Sequence, residues 1–272
     1  MNLKLMCVMA HPDDETMGIG GTIARYTHEG IDVYLVTATR GEHGWFDDPA
    51  DYPGPEKLGQ IREKELYQAA ETLGIKEVNL LDYIDGELDQ AEPRRVISQI
   101  ASHLLRIRPQ VVLTFGPDGI YGHPDHIAIC QFTTAAVVAA AAGLNGSAHS
   151  VSKLYYLTIT KERLEAYEAG MGDLVMHIDG QERRGPVWKK WMISAVIDTS
   201  AYWEQVLRAV SCHQTQITGY EPLKNLPEAY HQQVWGVQHY YRAFSLVNAG
   251  RKLEDDLFEG LRVRESLPVF NS

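Results

Sequence analysis

The first half of the chain alternates short apolar segments with longer segments of helical pattern. Leu3 to Met9, Ile31 to Ala38 and Val111 to Phe115 are almost continuously apolar, which is typical of strands buried in a parallel sheet. Another strand is predicted at 78–81, and helices are predicted at 18–29, 56–73, 93–108 and 127–142. This alternation predicts a Rossmann-like, three-layer α/β fold, with a mostly parallel sheet and helices on both faces.

The second half of the chain has a weaker pattern. Strands are predicted at 153–160, 193–197 and 240–247, and a helix is predicted at 201–210. Turn residues make 47–55 and 180–186 candidate loops over a site. Gly143, Asn145 and Gly146 are predicted to end the helix at 127–142. No linker or repeat divides the chain. We therefore expect one domain over 1–272, with a metal-site core in about 1–150 and substrate-shaping additions in about 151–272.

The charge and the cysteines limit the class of protein. Acidic residues exceed basic ones by 36 to 25, which argues against a nucleic-acid partner. One basic cluster, Arg183, Arg184, Lys189 and Lys190, is interpreted as a solvated loop over Trp188 and Trp191. Three scattered cysteines indicate a reducing compartment, the first residues lack a secretory pattern, and the apolar run 135–142 is too short to span a membrane. A cytoplasmic protein without membrane insertion is predicted.

A polar cluster follows the first predicted strand directly. It contains His11, Asp13, Asp14 and Glu15, at the strand end where open parallel sheets bind their ligands. His11 and Asp14 are three residues apart and can converge on one cation, which would also relieve repulsion among the acids. The alternative interpretation is that the acids cap the following helix.

A second polar cluster follows the strand 111–115 and precedes a helix. It contains Tyr121, His123, Asp125 and His126. Either histidine alone is interpretable as a helix-start or packing residue. The His-Pro-Asp pattern now occurs at two strand ends, however, which favours a shared metal site. Two imidazoles and one carboxylate would leave a coordination position for water, as in catalytic zinc sites.

These motifs resemble the LmbE-like, or PIG-L, deacetylase family, which includes glycosylphosphatidylinositol-precursor N-acetylglucosaminyl de-N-acetylases and deacetylases of the mycothiol and bacillithiol pathways. The resemblance covers Lys4 to Ala142. Ala10 to Glu15 matches the family's AHPDDE, His123 to His126 matches HPDH within a mycothiol-type YGHPDH, and Thr39 to Gly44 resembles TRGExG.

The resemblance implies one Zn²⁺ per chain, held by His11, Asp14 and His126. It implies that Asp13 activates water, and that His123, aided by Tyr121, stabilises the oxyanion or protonates the leaving group. It places Arg40 and Glu42 at the substrate, although a loop-bridging Arg40 and a packing Tyr121 remain alternatives.

Other residues near these motifs have open roles. Asp125 is expected to orient His126 or His123, and Glu15 to be a helix-start acid that hydrogen-bonds within the site. His43, Trp45 and Phe46 would form a substrate wall or pack the loop. The segment His213 to Gln216 resembles a looser family element with Thr215 where Ser is usual, so a site role for His213 stays open.

The predicted activity is zinc-dependent hydrolysis that removes an acyl group, expected to be acetyl, from the amide nitrogen of an N-acylated amino sugar or glycoconjugate. One alternative is a metal-dependent hydratase, a lyase that acts on an unsaturated carboxylic acid. A second is a non-catalytic sugar- or nucleotide-binding protein, since Gly18, Gly20 and Gly21 superficially resemble a dinucleotide loop. Self-association as a homo-oligomer is compatible with all three.

Overall fold

The computed structural model of the protein describes residues 2–143, 146–178, 180–216, 222, 225–247, 250 and 252–262. Its strands are β1 Lys4–Met9, β2 Asp32–Thr39, β3 Glu77–Tyr83, β4 Val111–Phe115, β5 Lys153–Thr158, β6 Met176–Ile178, β7 Gln181–Arg183, β8 Ala195–Asp198 and β9 Val237–Ser245. Its helices are α1 Asp14–Met17, α2 Gly20–His28, α3 Pro55–Leu73, α4 Pro93–Ile107, α5 Gly119–Gly122, α6 Pro124–Ala142, α7 Lys161–Met171, α8 Trp203–Val210 and α9 Glu228–Trp235.

Seven strands form one sheet in the order β3-β2-β1-β4-β5-β9-β8. The first five are parallel, β9 is antiparallel to β5, and β8 is antiparallel to β9. Helices α4 and α6 pack together, whereas α2 and α3 pack on α8, so the two groups cover opposite faces. The predicted three-layer α/β fold is confirmed, with an antiparallel edge contributed by the second half of the chain.

The order of the strands places a switch point between β1 and β4. From β1 the chain moves outward to β2, and from β4 it moves in the opposite direction to β5. The connections that follow β1 and β4 therefore run in opposite directions and leave a crevice at the carboxyl ends of these two strands, where such folds bind ligands. Both His-Pro-Asp segments follow these two strands, so the fold brings them together.

The ends of the long helices follow local sequence. Proline begins α3, α4 and α6, where its missing N–H costs nothing. Gly74 ends α3 at a φ of 77°, in the left-handed region that suits glycine. The predicted termination of α6 at Gly143 is confirmed, while Asn145 lies outside the described residues.

Two predictions in the second half are wrong. Residues 181–183 are not a loop, because they form β7, which pairs with β6 in a small antiparallel hairpin. Trp191 does not pack beneath the basic cluster, since its side chain is 80% exposed. Trp188 does pack, against Tyr241, and its indole N–H donates to Asp118. The helices α7 and α9 were not predicted.

One helix among the described residues, α6, is long and apolar enough by length and composition to cross a membrane, with a mean hydropathy of 1.3. It packs between α4 and the strands β1 and β4, and 56% of this stretch is buried. A core helix has the same properties. The prediction of one domain over 1–272 includes residues that the structure does not describe, and it stays a prediction.

Candidate metal centre and catalytic cavity

The loop after β1 fixes one carboxylate through backbone hydrogen bonds. The N–H groups of Ala10 and His11 donate to Asp14 Oδ2 at 3.0 and 2.7 Å. Asp13 has a φ of 109°, which turns the chain sharply before α1 begins. Such a backbone is strained for a residue with a Cβ and is found most often at functional sites. His11 and Asp14 are thereby held side by side.

The loop after β4 is irregular and presents two histidines. Gly119, Ile120 and Gly122 all have positive φ values, which is unusual for the β-branched Ile120. His126 lies in the first turn of α6, stacked on Phe115 at 3.9 Å between ring centroids. Its Nδ1 donates to the carbonyl of Gly119 at 3.2 Å. Because a carbonyl only accepts, Nε2 of His126 is left with a lone pair.

His11 has the opposite ring nitrogen available. Its Nε2 donates to Asp125 Oδ2 at 3.1 Å and lies 3.0 Å from Asp85 Oδ1. Those carboxylates fix a proton on Nε2, so in the neutral ring, which is the form that can bind a metal, the lone pair of Nδ1 points the other way. It points at His126, with 3.2 Å between His11 Nδ1 and His126 Nε2.

The three predicted ligands lie close together, with Asp14 facing each histidine through a different carboxylate oxygen. Asp14 Oδ1 lies 3.4 Å from His126 Nε2, and Asp14 Oδ2 lies 3.7 Å from His11 Nδ1. Tetrahedral zinc with bonds of about 2.0 to 2.1 Å separates its ligand atoms by about 3.3 Å. Two lone pairs and a carboxylate facing one another repel unless a positive charge lies among them, either a metal ion or a proton on His11 Nδ1. The donor set of His11, Asp14 and His126 therefore fits a divalent ion.

Burial shifts the ionisation of this set. It raises the pKa of Asp14 to about 7, because the charged carboxylate loses water. It lowers the pKa of His126 well below its usual range, and the charge of His11 adds to this. For His11, burial alone would lower the pKa, but hydrogen bonds to Asp125 and Asp85 outweigh burial and raise the pKa. A bound cation would favour the ligating form of all three.

Asp125 is placed differently from the prediction. Its side chain is fully buried and contacts His11, not the rings of His126 or His123. It also accepts hydrogen bonds from the N–H groups of Gly86 and Leu88 at 2.8 and 3.1 Å. The Asp125 carboxylate thus holds the ring of His11, the first predicted ligand, in place.

Asp85 was missed by the sequence analysis. It follows β3, two residues after that strand ends, and approaches His11 from the same side as Asp125. Burial acts to raise the pKa of Asp85, but the hydrogen bond to His11 outweighs it and lowers the pKa. The sequence could have indicated Asp85 through its position after a predicted strand of the same parallel sheet.

Arg62 was also missed, and it holds Asp13. From the middle of α3 its Nη2 donates to Asp13 Oδ2 at 3.1 Å and to the Pro12 carbonyl at 2.5 Å, and its Nη1 donates to the Gly41 carbonyl at 2.8 Å. A Cβ on Gly41 or Gly44 would lie 2.3 or 2.4 Å from Nη1. The glycines of the segment after β2 therefore make room for this guanidinium.

His123 and Tyr121 lie beside the ligands. His123 caps α6, with Nδ1 accepting the N–H of Asp125 at 3.2 Å. Burial lowers the pKa of His123 to about 4, so the neutral ring carries its proton on Nε2. Burial raises the pKa of Tyr121, which keeps its hydroxyl protonated. Both side chains can donate hydrogen bonds into the cavity that they line.

Arg40 and Glu42 do not line that cavity. Arg40 donates to Glu63 at 2.6 Å and to Asp82 at 2.5 Å, and its backbone N–H donates to Glu42 at 3.2 Å. Arg40 therefore bridges α3 and the end of β3, which was the alternative to a substrate role. The substrate-binding roles of both residues stay predictions without support from this geometry.

The segment His213 to Gln216 contacts the site through Glu15. Glu15 is fully buried, accepts the N–H of Asp13 at 3.0 Å, and lies 2.7 Å from Nε2 of the equally buried His213. Gln216 donates to the Gly44 carbonyl at 2.8 Å, and the Thr215 hydroxyl donates to Glu65 at 2.7 Å. His213 thus supports the β1 loop from behind.

A cavity of about 500 Å³ opens over the ligand set. Its polar wall contains the ligands with Asp13, Arg62, His123 and Tyr121, and His43, Trp45 and Phe46 form a second wall. The end farther along α1 is mostly apolar and is lined by Met17, Leu157, Ile159, Arg163, Tyr167, Asp173, Leu174, Val175 and Met176. We call this set the α1 end of the cavity.

Comparison with known proteins gives consistent results. The family model described as PIG-L, GlcNAc-PI de-N-acetylase, matches residues 6–137. A 1D-myo-inositol 2-acetamido-2-deoxy-alpha-D-glucopyranoside deacetylase of Rhodococcus jostii is 35% identical, over 79% of this chain and 82% of that one. A mycothiol S-conjugate amidase of Streptomyces coelicolor is 31% identical over 96% and 98%. The crystal structure of a conserved Thermus thermophilus protein has a TM-score of 0.64 at 25% identity, covering 91% and 97%.

Proposed function

Since this chain belongs to the PIG-L (GlcNAc-PI de-N-acetylase) family, we propose that it is a zinc-dependent hydrolase that removes an acyl group, with acetyl expected, from the amide nitrogen of an amino sugar or glycoconjugate. The observation that carries this proposal is the convergence of His11 Nδ1, His126 Nε2 and the Asp14 carboxylate. Curated relatives named as a deacetylase and an amidase support the class of bond.

His11, Asp14 and His126 would hold the zinc ion, with Asp85 and Asp125 fixing the ring of His11 from behind. When bound, the ion would acidify water and polarise an amide carbonyl. The remaining steps belong to side chains of this chain that line the cavity beside the ligands.

Asp13 is the group that accepts a proton from the attacking water. Arg62 holds one of its oxygens at 3.1 Å and so keeps the carboxylate on the cavity wall, next to Asp14 in sequence. The same carboxyl group can return that proton to the leaving nitrogen, which balances the reaction as amide and water giving acid and amine.

His123 and Tyr121 stabilise the charge that develops on the carbonyl oxygen. His123 Nδ1 already accepts a backbone N–H, so the ring can donate only through Nε2. Tyr121 remains a donor because burial raises the pKa of its hydroxyl. Preorganised donors of this kind typically contribute about 100- to 1,000-fold in rate.

Neither alternative function is favoured by an observation. The curated relatives compared above are a deacetylase and an amidase, not hydratases. The glycines that resemble a dinucleotide loop are used for packing, because a Cβ on Gly21 would lie 2.7 Å from Thr199 and one on Gly20 would lie 3.0 Å from Val206. They bring α2 close to α8 and the turn before it.

The test combines metal analysis with an assay of acetate release. We expect the purified protein to hold one zinc per chain, to release acetate and free amine from N-acetylglucosamine glycosides, and to lose this activity with a chelator. The His126→Ala variant should lose both the ion and the activity, whereas His103→Ala, a change of a histidine on α4 outside the cavity, should keep both. Chelator-resistant acetate release, or a wild type that binds no divalent ion, would contradict the proposal.

A further inference from the structure

Tyr121 is carried by the loop after β4, residues 116–123, whose backbone is strained. Ile120 has a φ of 68° and a ψ of −61°, and the glycines at 119 and 122 also have positive φ values. Such a backbone is an outlier for a β-branched residue, and it persists only where the surrounding structure enforces it. The contacts that Ile120 makes with the rest of the chain therefore determine where Tyr121 lies.

Residues 183–188, which we call the clamp, contact this loop from the second half of the chain. Gly185 lies so close to Ile120 that a Cβ on the glycine would overlap the Ile120 carbonyl oxygen and lie 2.9 Å from the backbone nitrogen of Tyr121. Gly185 does not have a left-handed backbone, so glycine is needed here for space and not for conformation. Two backbone segments meet at this point, and neither can turn aside as a flexible side chain can.

The clamp also contacts the loop on both sides of Tyr121. At one end, Arg183 packs on the loop, since a Cβ on Gly122 would lie 3.1 Å from the Cβ of Arg183. At the other end, the indole N–H of Trp188 donates to Asp118 Oδ2 at 3.3 Å. The strained part of the loop is thus contacted before, at and after Ile120.

The clamp is itself fixed at both ends. The backbone N–H of Trp188 donates to the carbonyl of Ile159, directly after β5, at 2.9 Å, and its ring packs on Tyr241 of β9. Arg183 pairs with Met176 between β7 and β6, and Met176 lines the α1 end of the cavity. A side chain added in the middle of the clamp would therefore displace the loop after β4.

The loop is not tightly packed beside the clamp. A second, small cavity of about 120 Å³ is lined by Ile120 and Tyr121 together with Leu164, Leu174 and Gly185. Atoms that border a cavity have fewer packing partners on that side. The loop therefore has room to move there, and the contacts of the clamp are what hold it.

We propose that the clamp positions Tyr121 as a hydrogen-bond donor to the oxyanion, and that the close approach of Gly185 is its critical contact. This inference rests on the proposed function. Gly185 and Trp188 do not line the cavity over the ligand set, so they are positioning residues that act through Tyr121. The second half of the chain thereby contributes to the rate of the reaction as well as to the shape of the cavity.

The position of Tyr121 can be followed without catalysis. The full-length protein, with zinc added, is labelled with 3-fluorotyrosine, and the fluorine resonance that is missing from Tyr121→Phe is assigned to Tyr121. We expect Gly185→Ala to shift or broaden that resonance. Gly180→Asn is the matched control in the turn between β6 and β7, because a Cβ there would meet nothing within 4 Å and asparagine tolerates the left-handed backbone. This variant should leave the resonance unchanged.

Acetate release from the methyl glycoside of N-acetylglucosamine measures the consequence for the reaction. Gly185→Ala should lower kcat by at least about tenfold, toward the loss of about 100- to 1,000-fold that is typical of a missing oxyanion donor. KM should stay within about twofold, and one zinc per chain should be retained. Gly180→Asn should keep kcat within about twofold.

A double variant shows whether Gly185 acts through Tyr121. In the Tyr121→Phe background, Gly185→Ala should lower kcat by no more than about twofold, because both changes remove the same interaction. Trp188→Phe keeps an aromatic ring but loses the N–H that reaches Asp118. It should lower kcat less than Gly185→Ala does, and its effect should also disappear in the Tyr121→Phe background.

Three results would overturn the inference. They are an unchanged Tyr121 resonance in Gly185→Ala, effects on kcat that multiply fully in the double variant, and loss of zinc from Gly185→Ala. The last would show that the loop acts on His126 through the Gly119 carbonyl instead. If Gly185→Ala does not fold, the same three measurements on Trp188→Phe decide the question.

A failure of the proposed function gives a different result. If the wild type releases no acetate but the Tyr121 resonance moves in Gly185→Ala, the proposed hydrolysis is overturned and the contact between the clamp and the loop is supported. If the wild type releases acetate and the resonance does not move, only the role of the clamp is overturned.

Discussion

The tripeptide His-Pro-Asp occurs twice in the site, and its residues lie in different places in the two copies. In the loop after β1, His11 faces His126, the candidate ligand of the second copy, and Asp13 lines the cavity beside them. In the loop after β4, His123 caps a helix and lines the cavity, while the carboxylate of Asp125 is fully buried behind His11.

The difference comes from where the helix begins. In the first copy α1 begins after the aspartate, so Asp13 is in the left-handed turn before the helix and faces the cavity. In the second copy α6 begins at Pro124, so Asp125 is already inside the first helical turn and points back into the protein. Residue type and spacing therefore identify the candidate site, but the start of the helix decides which aspartate lines the cavity and which one is buried behind His11.

The largest expected effect follows from replacing Asp13, the proposed proton acceptor. Asp13→Asn removes a proton acceptor but keeps the shape of the side chain, so kcat should fall by about 100- to 10,000-fold, the usual range for general acid–base catalysis. Zinc affinity should change little, because Asp13 is not among the ligand atoms that converge. The measurement is acetate release at saturating zinc, together with a zinc titration.

The two copies are distinguished only if Asp13→Asn lowers activity without lowering zinc affinity. A variant Asp13→Asn that loses zinc as strongly as it loses activity would show that Asp13 is a ligand. Full activity in this variant would show that the proton goes elsewhere.

The second largest effect is expected on zinc affinity, from replacing Asp125, the aspartate that contacts His11. Asp125→Asn weakens the hydrogen bond to His11 Nε2, and loss of such a partner typically lowers metal affinity by about 10- to 100-fold. Excess zinc should then restore most of kcat, in contrast to Asp13→Asn. Competition with a chromogenic chelator gives the affinity, and Asp85→Asn provides a matched variant, because Asp85 contacts the same nitrogen. An activity loss that excess zinc does not reverse would contradict the supporting role.

The strand ends and the candidate ligands could be predicted from the sequence because both depend on local pattern. Continuous apolar strands, proline at helix starts and the two motifs are all visible over a few residues. Asp85 was missed because it has no motif of its own and becomes important only because it follows β3, which pairs with β2, one strand away from β1. Its partner, His11, is far away in sequence.

Arg62 was missed for a different reason. It occupies a core-facing position of α3, four residues after Leu58 and four before Leu66, where an apolar side chain is normal. A charge at such a position was the available indication of a buried pair. In the second half, α7 has few buried apolar residues and includes the buried Arg163, so helical periodicity did not reveal it.

The third effect tests how the first aspartate is held. Arg62→Lys keeps the charge, but a single ammonium cannot reproduce the planar donors that reach Asp13, Pro12 and Gly41 together. We expect kcat to fall about tenfold, by loss of a charged hydrogen bond, with zinc affinity kept. Arg106→Lys, at a half-exposed surface pair with Glu77, is the matched control and should remain within about twofold. Equal effects in the two variants would show that Arg62 does not position Asp13.

The smallest expected effect is a change in stability at His123, the histidine of the second copy, which both caps α6 and lines the cavity. His123→Ala removes the acceptor for the N–H of Asp125, and loss of an N-cap costs about 1 kcal/mol. For a domain of this size, that would lower Tm by about 2 to 4 °C. His123→Asn should keep the stability, because asparagine is a preferred N-cap, but neither variant should recover the wild-type kcat. Thermal unfolding and acetate release, measured on both variants, separate the two roles. Equal Tm values for the alanine and asparagine variants would show that the ring does not stabilise the helix, and its place in the motif would then rest on catalysis alone.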